Sequence, residues 1–251
     1  MARTIAVINQ KGGVGKTTTA INMGVALKQK GFKVLLVDMD PQCNLSYSVG
    51  GEYDNGSTIL EMLLREKDAS QCLQHLPEID LIPGSSGLSS LDNILDYQGR
   101  EFILKNVLIS VQGSYDYVII DSPPALGLIT VSVLAACDSF IITAHADVFS
   151  MQGIGQLYNT YQTVQSYCNV NLKIEGILLT KHTDRFLHSR SSRKEIEDMA
   201  AEIGTKVFRT SIREAIAVRE SQTAQKSLLK YAPRSKPAQD YISFVNELLE
   251  K

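Results

Sequence analysis

The chain has 251 residues, 44% hydrophobic and 21% charged, with a formal charge of −2 from 25 Lys and Arg against 27 Asp and Glu. A chain of this length and composition buries a proper core, which excludes disorder and disulfide-dependent miniature folds. Cys43, Cys72, Cys137 and Cys168 form no C-x-x-C pair and accompany no histidine cluster, so they read as free thiols rather than zinc or iron–sulfur ligands.

Residues 1–8 lack signal-peptide architecture, and every apolar run falls short of the about 18 residues of a membrane helix. The expectation is a cytoplasmic protein. Short apolar runs alternate with helical stretches along the whole chain, the pattern of an α/β fold with a doubly wound, mostly parallel sheet and helices on both faces. In chain order, a strand at residues 4–8 leads through a glycine-rich turn to a helix at 16–30, closed by Gly31, and then to a strand at 34–37. A short strand at 80–82 precedes a Gly/Ser-rich loop at 83–90. Strands at 117–120, 140–143 and 174–180 then interleave with helices at 127–137, 151–167 and 190–203, and a last helix spans 237–249. Several of these strands are apolar without alternation, as strands buried on both faces are. There is no repeat, low-complexity tract or long linker, so residues 1–251 read as a single domain.

The sharpest local signal is Lys11-Gly12-Gly13-Val14-Gly15-Lys16-Thr17-Thr18, which follows the first strand and opens the first helix. That is the context a phosphate-binding loop requires. Glycines let the backbone fold around phosphate, while exposed N–H groups and the helix N-terminus supply donors and positive potential. Lys16 then neutralises β/γ-phosphate charge and the Thr17 hydroxyl ligates Mg²⁺. The pattern G-x-x-x-x-G-K-[ST] is not met in full, because Gln10 stands where its first Gly belongs, with Lys11 directly after it. Two lysines in so small a loop repel each other unless phosphate lies between them.

Asp121 ends the strand at 117–120, at the carboxyl edge where ligands bind in such sheets, and fits a carboxylate holding Mg²⁺ through water. A lone acid after a strand can equally cap a helix, but Ser122-Pro123-Pro124 follows and no helix can start at once, which favours the metal role. Asp38 and Asp40, in Val37-Asp38-Met39-Asp40-Pro41-Gln42, end the second strand, and alternation sends both side chains the same way. A carboxylate here orients the attacking water or holds Mg²⁺ through water, and spacing does not say which aspartate does so.

Together the lysine loop, the Asp38-Met39-Asp40-Pro41-Gln42 segment and Asp121-Ser122-Pro123-Pro124 resemble the deviant Walker ATPases of the ParA/MinD group, most closely the ParA/Soj-type partition ATPases. The resemblance covers nearly the whole chain. It implies an ATP hydrolase working with Mg²⁺ as a sandwich homodimer, in which Lys11 of each subunit reaches the phosphates held by the other. It gives the hydrolytic role to Asp40, and a γ-phosphate-sensing switch to Asp38, Asp40 and Pro41 together with Asp121, Pro123 and Pro124. It further implies that the ATP-bound dimer binds double-stranded DNA without sequence preference, and that a ParB-type centromere-binding protein stimulates hydrolysis and release. The protein is then nucleoid-associated.

Charge distribution meets that expectation: residues 181–236 hold 13 basic and seven acidic residues, about +6, while the remainder is about −8. Arg185, Arg190, Arg193, Arg213 and Arg219 are the candidate DNA contacts, offered on charge. Relatives often carry I-P-R-N-x-R-x-S-E-A-P in this region, and the second arginine of that pattern falls here on Ala217. The first strand starts at Thr4, so autoregulation through an N-terminal helix-turn-helix is not expected. The alternative is a MinD-like membrane-cycling ATPase that positions division or polarity, which attaches through a basic amphipathic C-terminal helix. Here residues 237–251 carry one basic residue against three acids, and Tyr241, Phe244, Val245, Leu248 and Leu249 recur at helical spacing. That pattern suits packing on the domain better than anionic lipid, so no membrane partner is expected.

Overall fold

Alternation in this chain is between two buried faces rather than between polar and apolar, and the computed structural model, which describes residues 1–182 and 187–250, shows why. β1 (Arg3–Ile8), α1 (Lys16–Gln29) and β2 (Val34–Asp38) open the chain. The short helices α2 (Asn44–Ser48), α3 (Ile59–Leu63) and α4 (Ala69–Cys72) lead to β3 (Gln74–His75) and β4 (Asp80–Ile82). α5 (Leu91–Ile94) and α6 (Ile103–Leu108) precede β5 (Tyr117–Asp121), α7 (Leu128–Ala136), β6 (Ser139–Ala144), α8 (Val148–Tyr167), β7 (Lys173–Leu179) and α9 (Leu187–Glu202). α10 (Ile216–Thr223), α11 (Leu228–Tyr231) and α12 (Lys236–Leu249) complete the order.

The seven strands form one sheet in the order β3-β4-β2-β5-β1-β6-β7, parallel except for the β3–β4 pair. Ile5, Val7, Leu36, Ile119, Ile141 and Leu178 belong to the core layer that also holds residues of α1 and α12. Their strand neighbours Ala6, Ile8, Leu35, Val37, Ile120 and Ile142 belong to the opposite layer, with residues of α6 to α9. With helices on both sides, period two no longer separates polar from apolar, and the strands read as continuous apolar runs.

α1 lies close on the sheet because position 24 is glycine: a Cβ there would stand 2.7 Å from Leu36 Cδ2. α12 packs beside α1, with Tyr241, Phe244, Val245 and Leu248 buried and Tyr241 Oη 3.1 Å from Thr19 Oγ1. Phe244 meets Phe208 edge-to-face at 4.9 Å. The apolar stripe of the C-terminal helix is thus spent on the core, as its charge balance predicts. Cys43, Cys72 and Cys137 are buried free thiols.

Several elements depart from the expected bounds. β3 has two residues and α2 to α6 have four to six each, too short to carry a periodic signal. α8 begins at Val148 instead of 151, because the Asp147 side chain caps it by accepting from the Ser150 N–H.

Candidate nucleotide site

Strand order creates the site. β1 is flanked by β5 and β6, so the chain leaving β1 enters the crevice where connections diverge to the two sides of the sheet, the place where ligands bind in such sheets. Register brings the carboxylates to the same edge: Val7 of β1 and Asp38 of β2 both pair with Asp121 of β5. The loop after β1 therefore lies directly over two buried acids.

The loop has the backbone a phosphate cradle needs. Gly13 and Gly15 sit at φ 74° and 82°, the left-handed region that side chains disfavour, and Gly15 is the N-cap of α1. The Lys11 N–H donates to Asn9 Oδ1 at 2.9 Å, pinning the start of the turn. Lys16 folds back so that Nζ donates to the Lys11 carbonyl at 3.2 Å. Burial lowers the pKa of this ammonium, while the charges of Asp121 and Asp40 oppose the shift.

Beneath the loop, Thr17 Oγ1 donates to Asp121 Oδ2 at 2.6 Å. Asp121 is fully buried, and its other oxygen, Oδ1, has no hydrogen-bond partner. Burial, reinforced by the charge of Asp38, holds this carboxyl well above the usual range despite the Thr17 hydrogen bond. Asp38 is pushed up to about 6 by burial, against the hydrogen bonds it accepts from Ser46 N at 2.9 Å and Ser46 Oγ at 2.7 Å. Asp40 is raised as well, through burial, although it accepts from the Gln42 N–H at 3.0 Å and lies in the field of Lys16. Three buried carboxyl groups surround one buried ammonium, and burial disfavours their charged forms, a cost that a divalent cation among them would offset. No group of three His, Cys, Asp or Glu capable of holding a metal by itself occurs among the described residues. Phosphate and water oxygens must then complete the shell of any cation held by Thr17 and Asp121.

β2 ends at Asp38, so alternation does not extend to Asp40, and partners distinguish the two. Asp38 is tied to Ser46 at the base of α2. Asp40 lies beyond the strand, 6% exposed and electrostatically coupled to Lys16. Pro41 is half-buried, Pro123 is buried and Pro124 exposed at the carboxyl edge.

Lys11 does not point into empty space. Its Nζ donates to Asp147 Oδ2 at 2.7 Å, on the residue that caps α8. Burial raises the Asp147 pKa, but the hydrogen bonds from Lys11 and Ser150 outweigh it and hold the carboxyl below the usual range. Sequence reasoning missed Asp147, since a helix starting at 151 leaves it in a loop. The aspartate followed two residues later by Phe149-Ser150 was the available capping signal.

Beside the loop a cavity of about 530 Å³ runs past Gly13, Gly15, Thr17 and Thr18 to Ile212, Val218 and Gln222. Arg213 and Arg219 line it too. Arg213 forks onto Asp240 at 2.5 and 2.9 Å, whereas the Arg219 side chain is 80% exposed, 3.9 Å from Glu214. Arg193, on α9, pairs with Glu197 at 2.8 Å and donates to the Phe208 carbonyl. The structure thus brings Arg213 and Arg219 to one rim and sets Arg193 apart. Arg185 lies outside the described residues, and Arg190 is placed on α9 by its backbone.

A family model described as an AAA domain matches residues 2–174. The chain is 36% identical to the sporulation initiation inhibitor protein Soj of Bacillus subtilis, over 99% of this chain and 98% of that protein. It is 34% identical to the chromosome partitioning protein ParA of Myxococcus xanthus, over 100% of this chain and 89% of that one. Among solved structures, cobyrinic acid a,c-diamide synthase from Mycobacterium smegmatis with bound ADP and magnesium superposes with a TM-score of 0.85 at 34% identity, covering 98% of this chain and 93% of that chain.

Proposed function

Because the chain belongs to the ParA/Soj family of partition ATPases, we propose that it is a DNA-partitioning ATPase whose Mg²⁺-ATP state is a DNA-bound homodimer. The reading takes residues 1–251 as one ATPase unit working in the cytoplasm on the nucleoid. One observation carries the nucleotide assignment: Lys16, Thr17 and Asp121 converge under a loop of glycines, with Asp121 Oδ1 left unpartnered in the core.

Each residue then has a task. The N–H groups of residues 12–18 wrap the phosphates, and Lys16 exchanges its contact with the Lys11 carbonyl for β/γ-phosphate oxygens. Thr17 Oγ1 would ligate Mg²⁺ and Asp121 would hold it through water, and the ion would supply neutralisation of charge developing on the phosphate oxygens. Asp40 orients the attacking water, and burial makes its carboxyl a stronger proton acceptor than a solvated aspartate. Lys11 leaves Asp147 and enters the partner subunit's phosphate site, so turnover requires a dimer. Asp38, Asp40 and Pro41, together with Asp121, Pro123 and Pro124, form the two segments that carry the nucleotide state outward. Of the arginines put forward on charge, Arg219 stands open for contacts to double-stranded DNA, Arg185 and Arg190 remain candidates on charge alone, and Arg193 and Arg213 would first have to leave Glu197 and Asp240; a ParB-type protein stimulates hydrolysis.

The apolar face of α12 supports this reading over the membrane-cycling one in that Tyr241, Phe244, Val245 and Leu248 are packed on the core, so this helix does not present them to lipid. Sedimentation of the purified protein with ATP, ADP or neither, in the presence of random-sequence duplex DNA or anionic vesicles, tests it. ATP-dependent association with DNA is expected. Association with vesicles alone would replace the proposal with the membrane alternative.

A further inference from the structure

We propose that Thr180 is a positioning residue for the phosphate loop, setting the direction of one loop peptide and tying it to the strand that carries the far end of the cavity. Thr180 directly follows β7, is 3% exposed and lines the cavity beside Gly13 and Gly15. Its Oγ1 donates to the Val14 carbonyl at 2.8 Å across 166 residues of sequence. In a trans peptide the C=O and the next N–H point in opposite directions. Holding the Val14 carbonyl on Thr180 therefore turns the Gly15 N–H away from β7. A glycine at φ 82° is the residue least able to hold that peptide by itself, because it tolerates the flipped orientation equally well. A flipped peptide would aim a carbonyl dipole at phosphate oxygens.

The anchor is itself held. Thr180 N–H donates to the Ala144 carbonyl at 2.8 Å, and Thr180 forms a parallel bridge with Ile212. The Ile212 N–H donates to the Leu179 carbonyl at 2.8 Å, and Ile212 begins the segment lining the far end of the cavity. One hydroxyl thus links the phosphate loop to the stretch 212–222. A Cβ at position 15 would stand 3.6 Å from Thr180 Cγ2, an ordinary contact, so what position 15 requires of glycine is its φ of 82° rather than space.

The inference rests on the nucleotide-binding reading, and the test separates the two. Titrations of wild type, Thr180→Val, Thr180→Ser and Thr180→Ala with ADP and ATP in the presence of Mg²⁺ are read by calorimetry, with thermal melts of the nucleotide-free proteins alongside. Loss of one buried hydrogen bond at the loop predicts Kd values about five- to tenfold weaker for the Val and Ala variants. The Ser variant, which keeps the donor, stays within about twofold of wild type. Thr180→Ala tests the prediction if the added methyl of Thr180→Val prevents folding. Val or Ala variants binding as tightly as wild type overturn the inference, as does a Ser variant as weak as Ala. A wild type that binds neither nucleotide overturns the underlying reading instead.

Discussion

Replacing Asp147 by Asn removes a charge that pairs with Lys11 within its own subunit and keeps the α8 cap, because asparagine caps a helix N-terminus as well as aspartate does. Both side chains of the pair are 34% exposed, so solvent screens the attraction and the pair is worth about 0.5–1 kcal/mol. A dimer in which each subunit surrenders its Lys11 breaks two such pairs, about 1–2 kcal/mol in all. The ATP-bound form of Asp147→Asn is then expected to dimerise at a protein concentration about five- to thirtyfold lower than wild type. Its specific ATPase rate saturates at correspondingly lower protein concentration. Analytical ultracentrifugation with ATP across a protein dilution series, with thermal melts as a control on the cap, reads the shift. Coincident dimerisation curves at equal melting temperature would refute the claim that Asp147 restrains Lys11.

Lys16→Ala removes the buried countercharge under the loop and should abolish ATP binding in a titration that gives wild type a measurable Kd; undiminished affinity would move the phosphate site elsewhere. Asp40→Ala should bind ATP and dimerise but show no turnover, and normal phosphate release would shift the hydrolytic role to Asp38 or beyond. Glu247 is 8% exposed and accepts the Arg209 and Thr210 N–H groups at 2.7 and 2.9 Å. Burial raises its pKa, but those hydrogen bonds outweigh the effect and hold the folded-state value below the ordinary one. Its contribution is therefore present above about pH 4 and fades as pH falls through the lowered folded value. Glu247→Gln should lose about 1–3 kcal/mol at pH 7, with the gap from wild type closing below about pH 4 in urea unfolding; a gap independent of pH would contradict that linkage.

How far the sequence disclosed the molecule depended on the range of each signal. The glycine loop, Asp38, Asp40 and Asp121 were legible because each sits at a strand end within a few residues of its motif, and the register of β1, β2 and β5 then placed them together. Thr180 and Asp147 were not, because their partners lie 166 and 136 residues away and only the closed sheet brings them to the loop. Ser46, which satisfies Asp38, was hidden in a helix of five residues that carries no periodicity. The arginines illustrate the limit of charge counting: Arg213 and Arg219 share one stretch of the chain, yet Arg213 is committed to Asp240 while Arg219 stands open to solvent.

In the proposed function, nucleotide state controls a DNA-binding dimer. The most direct measurement is binding of the purified protein to random-sequence duplex DNA with Mg²⁺-ATP, with Mg²⁺-ADP and without nucleotide, at two salt concentrations. Binding is expected only with ATP, weakening steeply as salt rises because the contacts are to phosphate. Binding that is independent of nucleotide, or absent with ATP while ATP itself is bound, would contradict it.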